Sequence, residues 1–101
     1  MIVFLGKGLF TLDGEILPDM KGEPATVRGV AIEALFAQFK DEENLSGEEK
    51  MKRWELASKI KADPDPVELT VEEVALLKKL IGKAYGAIIV GQAWKVLEGG
   101  E

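Results

Sequence analysis

Four groups of residues have types and spacings that could do chemistry: Gly6-Lys7-Gly8, the acids Asp63, Asp65 and Glu68, the carboxylate of Glu33, and the lysine-rich stretch around Trp54. Gly6-Lys7-Gly8 follows an apolar run, as a phosphate-cradling loop does, but a Walker loop needs four residues between its first glycine and the Gly-Lys-Ser/Thr. That spacing is missing, and the segment reads as a turn. Asp63, Asp65 and Glu68 offer the hard oxygen ligands that calcium prefers. An EF-hand loop, however, needs a central glycine and a glutamate at its twelfth position, and Pro64 and Pro66 stiffen this one into an inter-helix loop. Glu33 lies on a mostly apolar helix, where burial would raise its pKa toward that of a general acid. With Arg28 and Lys40 on the same helix, an ion pair is the simpler fate. Lys50, Lys52, Arg53, Lys59 and Lys61 surround Trp54 as a single-strand stacking platform would. Interleaved glutamates at 48, 49 and 55 cancel much of that field.

Composition narrows the chemistry further. The chain has no histidine and no cysteine, which removes the usual proton shuttle, imidazole and thiolate metal sites, triad hydrolases and disulfides. No enzyme activity, cofactor or metal is expected. A net charge of −5 opposes a phosphate backbone, so nucleic acid is not expected as a partner. Hydrophobic residues at 47% and charged residues at 31% place 101 residues in the globular class, long enough for one core. Met1 to Lys7 lacks a basic region and a cleavage site, and no apolar run reaches the roughly 18 residues needed to span a bilayer. The expectation is a cytoplasmic protein with no membrane partner.

The elements that must position these groups are mainly helical. Residues 1–25 read as an extended arm containing a hairpin, with Leu9–Leu12 and Glu15–Leu17 flanking Asp13-Gly14, a two-residue turn. Residues 26–101 read as a single helical domain of four helices. The first is capped by Thr26 and runs to about Lys40, with Ile32, Leu35, Phe36 and Phe39 on one side and small residues on the other; so little polar surface makes it either central in the fold or in contact with both the core and a partner. The second opens at Ser46-Gly47-Glu48-Glu49, a capping box, and runs to about Lys61 with a Glu48-Lys52-Glu55-Lys59 ladder facing water. The third follows the box Thr70/Glu73 and the staple Leu69/Val74 and runs from Val71 to about Lys83. The fourth spans Ala87 to Leu97, although Ile88-Ile89-Val90 alone would pass for a strand. No internal repeat is evident.

The fourth helix has almost no polar face beyond Gln92 and Lys95, and aromatic anchors in apolar patches are typical interface hot spots. Burial of this segment in the core is the first reading and an interface the second; the interaction candidates on the second are Ile88, Ile89, Trp94 and Leu97, joined by Phe10 and Ile16 of the arm, which could pair with a neighbouring chain by strand addition. More apolar surface is on offer than one core readily absorbs, so self-association is expected. The arm, poor in capping signals, reads as dispensable for folding.

Asp13-Gly14-Glu15, Thr26-Val27-Arg28, Leu45-Ser46-Gly47-Glu48-Glu49-Lys50, Leu80-Ile81-Gly82-Lys83-Ala84-Tyr85 and Val90-Gly91-Gln92-Ala93-Trp94 together resemble small proteins encoded in tailed phages and prophages, over residues 9–98. In size, acidity and helicity the chain is similar to phage tail-assembly chaperones. The resemblance implies a non-enzymatic assembly protein that binds tape-measure and tail-tube proteins in the host cell. A virion structural subunit of connector or decoration type, and an inhibitor or regulator docking on a host protein, stand as alternatives. No catalytic residues come with it.

Overall fold

The computed structural model, which describes residues 1–99, is mainly α: four helices and a small N-terminal antiparallel sheet. The elements are β1 (Ile2–Val3), α1 (Val27–Phe36), a 3₁₀ turn (Lys40–Glu42), α2 (Gly47–Ala62), β2 (Val67–Glu68), α3 (Val71–Ala84) and α4 (Ala87–Leu97). α1 is central and packs on both α2 and α3, while α4 packs on α3.

Local signals explain the helix starts. At α3 the Thr70 hydroxyl accepts from the Glu73 amide at 3.1 Å while the Glu73 carboxylate accepts from the Thr70 amide at 2.8 Å, a complete capping box. At α2 only half of the expected box forms. Ser46 accepts from the Glu49 amide, but the Glu49 carboxylate turns to Lys52. The expected ladder on α2 is replaced as well, because Lys59 reaches across to Glu73 of α3 at 3.4 Å. Ile88, Ile89 and Val90 are helical.

α1 ends at Phe36, four residues before the expected Lys40. Continuing it would have set Asp41 and Glu42 against the negative end of the helix dipole. Instead the chain turns, and Phe39 tucks under Lys83, whose Nζ lies 4.5 Å from the ring centre. Both sides of α1 enter the core: Val30, Ala31 and Ala34 of the small side are buried and so is Leu35 of the large one, while Phe36 faces out. A helix with neighbours on two sides needs small residues to let them approach.

Residues 1–25 differ from α1–α4 in secondary structure but not in core. Val3, Leu5, Leu9 and Ala25 are buried in the same cluster as the helix side chains, so the arm supplies part of the core. β1 pairs with β2 far along the chain, in the register Ile2 to Glu68 and Val3 to Val67. The arm also finishes α1: the first two helical amides, Val27 and Arg28, donate to the carbonyls of Lys7 and Leu5, and the third, Gly29, donates to the Thr26 hydroxyl. Three of the four amides a helix start leaves free are thereby satisfied.

A polar clasp built on Asp65 ties these parts together. Its carboxylate accepts from the amides of Leu5 and Gly6 at 3.0 and 2.8 Å and from Arg28 at 2.8 Å. Arg28 in turn donates to the carbonyls of Ile60 and Asp63, covering the end of α2. The chain passes so near that a Cβ at Gly6 would stand 2.6 Å from the Asp65 carboxylate, so a side chain there would push that carboxylate out of the clasp. Burial pushes the Asp65 carboxyl up, but the Gly6 amide and the Arg28 charge outweigh it and hold the group below the usual range.

The hairpin contains a repeat that the sequence reading misses. Leu9-Phe10-Thr11-Leu12-Asp13-Gly14-Glu15-Ile16 is followed directly by Leu17-Pro18-Asp19-Met20-Lys21-Gly22-Glu23-Pro24. In each copy the amide of the third residue donates to the carbonyl of the glutamate (Thr11 to Glu15, Asp19 to Glu23), and the glycine amide donates back to the third residue. In each, the side chain of that third residue accepts from the glutamate amide. Gly14 and Gly22 have φ of +86° and +82°, the left-handed region that favours glycine. The turns therefore have three-residue loops in place of the expected two-residue one. The repeat also closes on itself: Leu9 donates to Ala25, Ala25 to Leu17, and Leu17 to Leu9, a ring of three backbone hydrogen bonds between segments eight residues apart.

Candidate functional site: a cleft between α1 and α2

The break after α1 opens a cleft of about 590 Å³ whose lining includes Phe36, Phe39, Leu45, Lys50, Arg53 and Trp54. Phe36 and Trp54 stand at 55% and 57% exposure, large aromatic surface left in water on two different helices.

The cleft is held open by a charged strut. Arg53 is 5% exposed, and its two terminal nitrogens donate to the two carboxylate oxygens of Glu42 at 2.8 and 2.7 Å. This fork-to-fork geometry is the strongest ion pair a guanidinium makes. Lys83 adds contacts to Asp41 at 2.9 Å and to Glu42 at 3.6 Å. Thus α3 fixes the 3₁₀ turn while α2 fixes its carboxylate. The hydrogen bond from Arg53 draws the Glu42 carboxyl down to about 2 against the opposing effect of burial, and the same pairing raises Arg53. Both groups stay charged across the physiological range, so the strut does not exchange protons. The arrangement can bury an apolar side chain between two aromatic walls.

The expected interaction residues separate into three sets. Phe10, Ile16 and Ile88 come together at the surface: Phe10 and Ile16 face each other across a β-bridge, and the Gln92 amide donates to the carbonyls of both Phe10 and Ile88 at 2.8 Å. All three are exposed. Ile89 and Trp94 are half-buried. Trp94 lies under Lys78, 4.6 Å from ring centre to Nζ, and its indole N–H donates to the Lys78 carbonyl. Leu97 is fully buried and belongs to the core, which removes it from the surface set.

The remaining candidates take structural roles. Glu33 accepts a 2.6 Å hydrogen bond from the Tyr85 hydroxyl, in place of the expected pairing with Arg28 or Lys40. Burial and that neighbouring carboxylate raise the Tyr85 hydroxyl well above its ordinary value. Asp65 serves the clasp, and among the described residues no group of three acids could hold a metal ion. The basic cluster is dispersed, with Arg53 turned inward and Lys59 engaged with Glu73. Phe36 was missed as a surface residue because both sides of its helix are apolar and periodicity does not say which residue stays outside. The available signal was the two-sided apolarity of α1. No helix among the described residues is long and apolar enough to cross a membrane.

Comparison with family models, curated proteins and solved structures finds no match for the chain.

Proposed function

We propose that this chain works without chemistry of its own, as a phage or prophage assembly protein that holds another protein by an apolar side chain or segment seated in the α1–α2 cleft. The observation that carries the reading is the pair Phe36 and Trp54, both more than half exposed, on the walls of a cleft braced by a buried ion pair. Exposed aromatics in water cost free energy in the isolated protein, and a rigid apolar pocket is where interface hot spots concentrate. The resemblance in sequence character to tail-assembly chaperones supplies the partner class, namely tail-tube and tape-measure proteins.

The test is co-expression with the tail-tube and tape-measure proteins of a tailed phage, followed by sizing and calorimetry. The expected outcome is a complex that Phe36→Asp or Trp54→Asp weakens about tenfold or more, a loss of some 1.4 kcal/mol, with the thermal melt of the free protein little changed. Absence of any complex, or binding indifferent to both substitutions, overturns the reading.

A further inference from the structure

The ion pair beneath the α1–α2 cleft uses only part of its guanidinium. The two terminal nitrogens of Arg53 are bonded to Glu42, but its Nε–H is buried and has no acceptor among the described residues. Arg53 is 5% exposed and lines the cleft together with the two aromatic walls, Phe36 and Trp54. The chain's other arginine shows what is missing. Arg28 donates from its Nε to the main-chain carbonyl of Ile60 at 3.0 Å, so the atom left unpaired in Arg53 is satisfied in Arg28 by a peptide oxygen. A buried donor without an acceptor costs free energy that a hydrogen bond recovers.

We infer that the acceptor is supplied by a partner: an uncharged peptide segment enters the cleft, with an apolar side chain between Phe36 and Trp54 and a main-chain carbonyl on the Arg53 Nε. Charge decides between a carbonyl and a carboxylate. The charged side chains lining the cleft are two acids, Glu42 and Glu43, and two bases, Lys50 and Arg53, so the lining carries no net charge. A carboxylate arriving at Nε would stand beside the Glu42 carboxylate that the same guanidinium already holds at 2.7 and 2.8 Å, and like charges repel strongly in a partly buried site. A neutral carbonyl satisfies the donor without that repulsion. The Nε is covered in the free chain, whereas the Trp54 ring is 57% exposed, so the carbonyl reaches the donor as that ring swings aside. The recognised element is therefore an internal stretch of peptide, not a chain terminus or a free acid. This inference rests on the reading of the cleft as a protein-binding surface, and it names what that surface recognises.

The experiment follows the arginine Nε–H and tryptophan indole signals of the whole, isotope-labelled chain by NMR, with N-acetyl-leucine amide as the probe and isocaproate as its charged counterpart. Fragments of this size bind in the millimolar range. The amide should move the Arg53 Nε–H and Trp54 indole signals together and saturably, and leave the Arg28 Nε–H in place because that donor already has its carbonyl. It should bind about threefold or more tightly than the acid, since only the acid meets the Glu42 charge. Phe36→Asp should abolish both responses, and a circular dichroism melt confirms that this variant folds. No response up to about 50 mM amide overturns the inference. So does a Trp54 response without an Arg53 response, which is apolar contact alone, and so does an acid bound as well as the amide. Tail-protein binding sensitive to Phe36→Asp or Trp54→Asp would survive each of these results, so the two proposals fail separately.

Discussion

Residues 1–25 and the helix α3 are held in place by opposite kinds of interaction. α3 carries its own instructions: Thr70 and Glu73 cap it, Glu72 and Glu73 lie at its positive end, Lys83 at its negative end, and Val74, Leu77, Leu80 and Ile81 form one buried stripe. The arm's own instructions are confined to its two glycine turns. Its fixed points are the Asp65 clasp on Leu5 and Gly6, the pairing of β1 with β2, and the Gln92 side chain that both donates to and accepts from Phe10. Those partners are between 59 and 82 residues away along the chain for the side-chain bonds. Even so, Val3, Leu5, Leu9 and Ala25 of the arm are buried in the same core as the stripe of α3. A segment can thus be part of the core without local signals to announce it, and the contrast can be broken at several points.

The largest effect should come from removing residues 1–24. A chain beginning at Ala25 loses Val3, Leu5 and Leu9 from the core and the two carbonyls that satisfy the start of α1. We expect loss of cooperative unfolding, and Leu9→Ala in the full chain should cost about 3 kcal/mol. A truncated chain with native helicity and a sharp melt would restore the arm to the status of an accessory.

Next in size is the strut beneath the cleft. Glu42→Ala strands the buried Arg53 charge and should cost about 3 kcal/mol, read by denaturant titration. It also has a pH signature. The Glu42 carboxyl is held at about 2, below its ordinary 4.5, so its contribution is complete above 4.5, falls as pH drops through that interval, and is gone below about 2. Glu42→Gln should flatten the stability profile there. An unchanged slope would place the acid sensitivity elsewhere.

The two tryptophans compare α4 with the cleft. Trp94, half-buried under Lys78, should cost about 2 kcal/mol on replacement by alanine, while Trp54→Ala should cost less than about 1 kcal/mol. Equal losses would mean that Trp54 supports the fold and is not reserved for a partner.

The sharpest form of the arm-against-helix contrast sets a long-range clasp beside a local cap. Asp65→Ala leaves Arg28 and two amides without their carboxylate and should cost about 2 kcal/mol, discounted for partial exposure. Thr70→Ala removes only a cap and should cost about 1 kcal/mol. If the order reverses in chemical denaturation, the clasp is decoration and the local signals carry the fold.

The sequence by itself determined the helices, because their signals lie within a few residues of one another. Thr70 with Glu73, Ser46 ahead of Glu49, Thr26 ahead of α1 and the glycines around α4 are local chemistry, and three of the four helices end within a residue or two of where periodicity and capping put them. The Asp13-Gly14 turn was readable for the same reason, and with it the mainly α class with a hairpin. Tertiary structure alone decided which apolar residue of α1 stays outside, since Leu35 and Phe36 look alike until the neighbouring helices cover one of them. It also made Asp65 the clasp of the arm, ended α1 at Phe36 so that Glu42 could meet Arg53, and sent Leu97 inward while Phe36 and Trp54 remained outside. In each case the deciding partner lies on another element, and a free energy that depends on which surfaces meet is not written in the spacing of neighbours along the chain.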